Sequence, residues 1–118
     1  MAYLTCTQVD EITPRSYIGL IIGETQSARE EISKSLANGE AIKISGDLKI
    51  TQAKEKKLQM PVDFGWITKE GSIIIQSKKY DVLLIQEPTI SNGSVTWTCI
   101  SYPKDAAPNF CRPKLHPR

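Results

Sequence analysis

The sequence predicts an α+β fold in which one amphipathic helix packs on a small antiparallel sheet. Apolar residues recur every three or four positions between residues 14 and 38, which is the helical period. From residue 42 onward they alternate with polar residues or form short runs, which is typical of strands. Two cysteines then lie near the C-terminus, at positions 99 and 111.

We expect one domain over residues 1–118, because this length suffices for a single buried core. Its predicted parts are an irregular start (1–13), a helix (14–38), strands (41–101) and a disulfide-tied tail (102–118). Apolar residues are 40% and charged residues 24% of the chain, which excludes a disordered polymer. The longest apolar run is far shorter than the roughly 20 residues of a membrane helix, and no signal-peptide pattern begins the chain.

The predicted helix has a start signal and a stop signal. Thr13-Pro14 combines an N-cap residue with proline at the first helical position, and Asn38-Gly39 suits a left-handed C-terminal cap. Ser27-Ala28-Arg29-Glu30 is a possible capping box, so the helix could instead start at residue 28. The apolar stripe comprises Ile18, Ile21, Ile22, Thr25, Ala28, Ile32 and Leu36.

Strands follow the helix. Apolar residues on even positions between Ile42 and Ile50 predict a strand or a hairpin around Gly46-Asp47, and the polar segment Thr51–Lys57 predicts a loop. Three better-defined strands are expected in Ser72–Gln76, Tyr80–Gln86 and around Val95, Trp97 and Cys99. The run Ile73-Ile74-Ile75 suggests burial on both faces, Lys78-Lys79 a turn, and Asn92-Gly93 a type I′ hairpin.

The sequence contains no catalytic or metal-binding motif that we recognise. Its only histidine, His116, lies in the proline-rich tail without a spaced partner, and no glycine-rich phosphate loop is present. We therefore expect no enzyme activity, no metal and no cofactor.

Charge is uneven along the chain. Residues 1–40 carry a net charge of −3 and residues 41–118 a net charge of +5. Binding of DNA through a basic surface is an alternative function, with Tyr80, Trp97 and Tyr102 as stacking faces, although Trp97 is expected in the core. The candidate DNA-binding residues are Lys54, Lys56, Lys57, Lys78, Lys79, Arg112 and Lys114.

The three cysteines favour one disulfide. The 11 residues between Cys99 and Cys111 suit a disulfide-closed loop, which leaves Cys6 over and favours an oxidising compartment. Closing a loop of this size stabilises a fold by about 3 kcal/mol in the chain-entropy view.

The last part of the chain resembles type IV pilins. Val95-Thr96-Trp97-Thr98-Cys99 is similar to the final Trp-x-Cys strand of that family, and Pro108 precedes a second cysteine as in its variable loop. The resemblance runs over about residues 26–112 in the family's order. The other similar segments are Gly71–Ile75, Val82–Ile85, Asn92-Gly93, Asn109-Phe110-Cys111-Arg112 and the helical Ala28-Arg29, Ile32-Ser33 and Leu36-Ala37.

The resemblance implies a pilin-like fold and a structural subunit of a cell-surface filament, with other pilin subunits and a host receptor or surface as partners. It implies that a Cys99–Cys111 bond presents residues 100–110 as an adhesive loop. A soluble pilin-like regulator or DNA-uptake module is the alternative, and a small secreted enzyme inhibitor ranks last. The expected receptor contacts are Ile100, Tyr102, Lys104, Asn109 and Phe110.

Residues 1–25 depart from the family, whose members begin with a very apolar helix used for membrane storage and filament packing. This segment contains Cys6, Asp10 and Glu11 and only a short apolar run. We expect either a truncated ectodomain or a relative with its own N-terminus. With the helix restored, the protein would be stored in the membrane or periplasm before assembly.

Overall fold

Two consecutive helices begin the described part of the chain. The computed structural model describes residues 13–50, 52–53 and 58–106. Helix α1 spans Pro14–Glu24 and helix α2 spans Gln26–Ala37. The Thr13 side chain accepts a hydrogen bond from the Ser16 amide, so the predicted N-cap is confirmed. In the described residues, neither helix is long and apolar enough to cross a membrane.

The prediction of one continuous helix is wrong at Thr25. This residue ends α1 and precedes α2, and its hydroxyl donates to the Ile21 carbonyl oxygen, a bond that bends helices. The alternative start at residue 28 is wrong too, since α2 begins two residues earlier. The predicted stop is confirmed, because Gly39 has a positive φ of 68° and donates to the Leu36 carbonyl, while Glu40 donates to that of Ser35.

The described residues form seven strands: Gly46–Asp47 (β1), Gln52–Ala53 (β2), Leu58–Gln59 (β3), Phe64–Ile67 (β4), Ile73–Ser77 (β5), Val82–Ser91 (β6) and Ser94–Tyr102 (β7). Five of them form the main antiparallel sheet, in the order β1-β4-β5-β6-β7. A separate pair of short strands, β2 and β3, joins residues 52–53 to residues 58–59. A 3-10 turn, Lys104–Ala106, follows the last strand.

The α+β class is confirmed, but the strands between residues 51 and 71 were not predicted. Of the two alternatives at Gly46-Asp47, the strand is confirmed and the hairpin turn is wrong, because both residues form β1 and pair with β4 at Ile67 and Trp66. The predicted loop at Thr51–Lys57 contains β2, while residues 51 and 54–57 lie outside the described residues. Strand β4 was missed, since its four residues include a glycine and give a short pattern.

The C-terminal hairpin is the best predicted part of the sheet. Asn92 and Gly93 have φ values of 54° and 80°, as a two-residue type I′ turn requires, and they connect β6 to β7. The Lys78-Lys79 turn is also found, but it extends to Asp81, so β6 begins at Val82. The start of the predicted tail is ordered, since β7 extends to Tyr102 and the 3-10 turn follows at Lys104–Ala106.

The core lies between the helices and one face of the sheet, which we call the inner face. Helix α1 contacts β6 and the 3-10 turn, and α2 contacts β6 and β7. Burial at every second strand position is typical of a sheet covered on one side. The buried apolar residues are Tyr17, Ile18, Ile21, Ile32, Ile42, Met60, Ile67, Ile73, Ile75, Val82, Leu84, Cys99 and Ala106.

Candidate contact surface on the outer sheet face

The opposite face of the sheet carries apolar side chains that remain in contact with solvent. We call seven of these residues the outer apolar face, and they come from four neighbouring strands. Six of the seven are aromatic residues or isoleucines, and the seventh is a leucine. Its members are Phe64 and Trp66 of β4, Ile74 of β5, Leu83 and Ile85 of β6, and Ile100 and Tyr102 of β7.

Strand register arranges these side chains in two rows that cross the sheet. The isoleucine row consists of residues that pair directly from strand to strand: Trp66, Ile74, Ile85 and Ile100. The aromatic row pairs in the same way and consists of Phe64, Gln76, Leu83 and Tyr102. Residues two apart on a strand point to the same side, so the rows are neighbours about 7 Å apart.

The two rows are exposed to a degree that is unusual for large apolar residues. Exposure is 46% at Phe64, 41% at Trp66, 47% at Ile100 and 50% at Tyr102. The rings of Phe64 and Trp66 are stacked, with centroids 6.4 Å apart and planes 14° apart. These four residues alone leave roughly 350 Å² of apolar surface in water. A patch of about this size on a monomer often marks an interaction site.

The prediction that Ile73-Ile74-Ile75 is buried on both faces is therefore wrong. Ile73 and Ile75 are fully buried on the inner face, whereas Ile74 is partly exposed in the isoleucine row. A run of three isoleucines is typical of a strand covered on both sides, but both helices lie on the inner face. The outer face keeps the composition of a buried surface without having a cover among the described residues.

Charged residues flank the two rows at opposite ends. Lys78 follows β5 at the aromatic-row end, where it lines a shallow depression together with Leu83 and Tyr102. Glu87 is the next outward position of β6 beyond Ile85 and is exposed. Asp81 lines the same depression as Lys78, so charges of both signs lie at the aromatic-row end of the face.

A buried polar network fixes the helix pair to the inner face. Gln86 is fully buried on β6, and its side-chain amide donates to Thr25 Oγ1 at 3.0 Å. Arg29 donates to Gln86 Oε1 at 2.6 Å and to Thr25 Oγ1 at 2.8 Å. Burial lowers the pKa of Arg29, and Glu30 acts in the opposite direction. The network satisfies the buried amide and positions the bend at Thr25 over β6.

Two aromatic side chains secure the edges of this helix–sheet packing. The Tyr17 hydroxyl donates to the Pro61 carbonyl oxygen at 2.7 Å, and the Tyr17 ring lies 4.9 Å from that of Tyr80. Burial raises the pKa of Tyr17 to about 12, the charges of Asp63 and Tyr80 add to the effect, and Ser77 opposes it. The Trp97 indole N–H donates to Ser33 of α2 at 2.9 Å. Trp97 packs against the core as predicted.

The predicted receptor-contact residues fall into two groups. Ile100 and Tyr102 are exposed, but they lie within β7, so their predicted placement in a loop is wrong. Their contact with a receptor stays a prediction. Lys104 is exposed in the 3-10 turn. Asn109 and Phe110 lie outside the described residues.

The predicted DNA-binding residues are only partly described. Lys78 and Lys79 are exposed in the turn between β5 and β6, and the Lys79 ammonium lies 5.5 Å from the Tyr80 ring centroid. The remaining members lie outside the described residues: Lys54, Lys56, Lys57, Arg112 and Lys114.

Cys99 is buried on the inner face with an exposure of 4%. Its predicted partner, Cys111, and the leftover Cys6 lie outside the described residues. No disulfide joins two described residues, since Cys99 is the one cysteine among them. The Cys99–Cys111 pairing stays a prediction.

The described residues contain no cluster of three or more His, Cys, Asp or Glu side chains that could hold a metal ion. Phe64 and Trp66 are candidate contact residues that sequence analysis missed. The signal that could have found them is enrichment in aromatic and β-branched residues, since Phe64-Gly65-Trp66-Ile67 has three such residues in four.

Comparison with protein-family models, with curated proteins and with solved structures found no match to this chain.

Proposed function

We propose that this protein is a structural subunit of a pilus-like surface filament and that the outer apolar face is its contact surface. The observation that carries the proposal is the exposed isoleucine row, in which Trp66, Ile74, Ile85 and Ile100 cross four strands. A structural subunit needs such a surface, because association is driven mainly by apolar burial. Under this proposal the protein acts outside the cell and carries out no reaction.

The order of the elements supports a pilin-like fold within this proposal. Helices α1 and α2 follow one another along one face of the sheet, and β4 to β7 then form a meander in chain order. The resemblance to type IV pilins begins within α2 and includes the Asn92-Gly93 hairpin and the strand with Trp97 and Cys99. These segments support the proposal by lying in a helix, a hairpin turn and a strand, respectively.

The location of the full-length protein in its source cells tests the proposal. Surface filaments are sheared from the cells, and the protein is detected in the filament fraction and by immunogold labelling. We expect the protein along the filaments, and we expect a deletion strain to lose filaments or their adhesion to surfaces. Detection only inside the cell, with filaments and adhesion unchanged in the deletion strain, would contradict the proposal.

The disulfide is tested separately. Peptides produced without reductant should include a linked pair that contains Cys99 and Cys111, since a pilin-like C-terminal loop is closed by that bond. Three free thiols in the folded, non-reduced protein would exclude the pilin-like end of the chain.

Binding of DNA is a second candidate function, favoured by the position of Lys78 beside the exposed Tyr102 ring. A cation next to an aromatic face suits a nucleic-acid strand. We expect a mobility shift at low salt that weakens steeply as salt rises, because counterion release drives such binding. Replacing Lys78 and Lys79 by alanine should abolish the shift, whereas Lys69→Ala, at an exposed turn elsewhere, should not. No shift at low salt would exclude this function.

A further inference from the structure

We propose that Asn92, at the tip of the β6–β7 hairpin, is a site of spontaneous deamidation that converts a neutral turn into an anionic one. Water is the co-reactant, and the reaction needs no enzyme and no cofactor. Only residues of the turn take part, so the inference does not depend on the proposed function. The structure favours this asparagine over Asn38, which begins the other Asn-Gly pair of the chain.

The reaction joins the Asn92 side chain to the backbone of the next residue. The Gly93 amide nitrogen attacks the Asn92 Cγ carbon, the bond from Cγ to Nδ2 breaks, and the leaving nitrogen departs as ammonia with the proton from Gly93. Water then opens the cyclic imide at either of its carbonyl groups. Opening at Cγ gives aspartate, whereas opening at the main-chain carbonyl gives isoaspartate, which has an extra carbon in the backbone. Glycine favours the attack because it has no Cβ to crowd the nitrogen.

The turn leaves the attacking nitrogen without a hydrogen bond. Asn92 and Gly93 are the two central residues of the type I′ turn, and Ser91 and Ser94 pair with each other at its base. The Gly93 N–H therefore lies outside the strand ladder, and no acceptor for it is found among the described residues. All four turn residues are exposed, so water reaches both the side-chain amide and the nitrogen.

A flip of one peptide plane aligns the reacting atoms. In a type I′ turn the first central residue has ψ of about +30°, so the Asn92 side chain points away from the Gly93 nitrogen. A type II′ turn has ψ of about −120° at this residue, where the Cα–Cβ bond eclipses the bond to that nitrogen. Both turns keep φ positive at the first position, and Asn92 has φ of 54°. The flip makes φ negative at Gly93, which glycine permits, and both turn types close a two-residue hairpin.

Asn38 is also exposed, but hydrogen bonds hold its backbone in an unreactive conformation. It is the C-cap of α2 and has ψ of 1°. The Gly39 N–H donates to the Leu36 carbonyl oxygen at 3.1 Å, and the Glu40 N–H donates to that of Ser35 at 2.8 Å. Rotation of ψ to about −120° at Asn38 would break both bonds of this helix cap. The cap therefore protects one Asn-Gly pair, whereas the turn leaves the other open to reaction.

The two products should differ in their effect on the hairpin. Asp-Gly is a favoured type I′ pair, so the aspartate product should keep the turn. Isoaspartate lengthens the backbone, so a two-residue turn no longer fits between Ser91 and Ser94. We expect the isoaspartate form to lose pairing at the tip, with faster hydrogen exchange at the Ser94 amide. Residues 91–94 have no ionisable side chain, so either product gives the tip its first charge.

Ageing of the purified chain at neutral and mildly alkaline pH tests the proposal. Peptide mapping by mass spectrometry follows each asparagine, and water with a heavy oxygen isotope labels the carboxyl groups that hydrolysis forms. In the folded chain Asn92 should convert at least about tenfold faster than Asn38, because two hydrogen bonds must open before Asn38 can react. In concentrated urea the turn and the cap are both lost, so the two sites should convert at similar rates.

Two variants serve as controls. Asn92→Gly keeps a favoured turn pair, so it should abolish label uptake in this peptide while Asn38 reacts as before. Asn92→Asp is the reference for the aspartate product, and its Ser94 amide should exchange as slowly as that of the unaltered protein. Circular dichroism and urea unfolding show that each variant is folded.

Two outcomes would overturn the proposal. Equal rates at Asn92 and Asn38 in the folded chain, or the same preference in urea as in the folded chain, would show that the turn does not select the site. An Asn92 that stays intact in the folded chain while both sites convert in urea would show that the turn protects it. Neither outcome bears on the filament proposal, because filament location is measured separately in cells.

Discussion

Replacing Thr25 by valine tests whether the polar network holds the helix pair on the sheet. The side chain is 1% exposed, and valine has nearly the same shape, so the change removes hydrogen bonds with little change in packing. Thr25 Oγ1 accepts bonds from Gln86 and Arg29 and donates to the Ile21 carbonyl oxygen.

The expected loss follows from what remains buried. The Gln86 amide is fully buried and loses this acceptor, which costs about 1–3 kcal/mol. Arg29 also loses one charge-assisted bond, so we expect a total loss of about 2–4 kcal/mol in the free energy of unfolding. Urea unfolding followed by circular dichroism should show a midpoint lowered by roughly 1–2 M.

Thr98→Val is the matched control, because Thr98 is exposed on β7. It should change the free energy of unfolding by less than about 0.5 kcal/mol. Adding Gln86→Leu to Thr25→Val should cost less than the sum of the single changes, because it removes the stranded amide. A loss below about 1 kcal/mol in Thr25→Val, or simple additivity in the double variant, would refute the reasoning.

Three further predictions concern the sheet, the helix contact and a buried phenol. Gly65→Ala should lower the free energy of unfolding, measured with urea, because a Cβ at this position would overlap the Leu48 carbonyl oxygen. Gly19 has open space around it, so Gly19→Ala should stabilise α1 by up to about 1 kcal/mol in the same assay. Trp97→Phe should cost about 0.5–1.5 kcal/mol by urea unfolding through loss of the bond to Ser33, and adding Ser33→Ala should cost little more. Spectrophotometric titration should show one tyrosine, Tyr17, with a pKa of about 12. Because this pKa is raised in the folded state from 10.0, the free energy of unfolding should fall as the pH rises from 10 to 12. The first prediction is contradicted if Gly65→Ala leaves the free energy of unfolding unchanged. The second is contradicted if the losses from Trp97→Phe and Ser33→Ala add up, and the third if all tyrosines titrate with a pKa near 10.

Local signals predicted the ends of elements well. Thr13-Pro14, Asn38-Gly39 and Asn92-Gly93 each determine a backbone conformation within a few residues, and all three were confirmed. Neighbouring residues are enough to define a cap or a tight turn, so tertiary contacts do not override these signals.

Features that depend on distant contacts were not predictable. The bend at Thr25 is bonded to Gln86, which lies 61 residues away, and β4 acquires its strand partners from β1 and β5. The exposure of Ile74 depends on which sheet face the helices cover, and an apolar run cannot report that. The candidate surface was therefore found only in part, through Ile100 and Tyr102.

The incorporation of two variants into surface filaments tests the central claim most directly. Source cells express full-length protein carrying Ile100→Lys or, as the control, Ile90→Lys, since Ile90 is equally exposed at 47% but lies outside the outer apolar face. The amount of each variant in the sheared filament fraction is compared with its total amount in the cells. The outer apolar face predicts that Ile100→Lys is depleted from filaments while Ile90→Lys is incorporated like the unaltered protein. Equal incorporation of the two variants, with both folded, would contradict the claim.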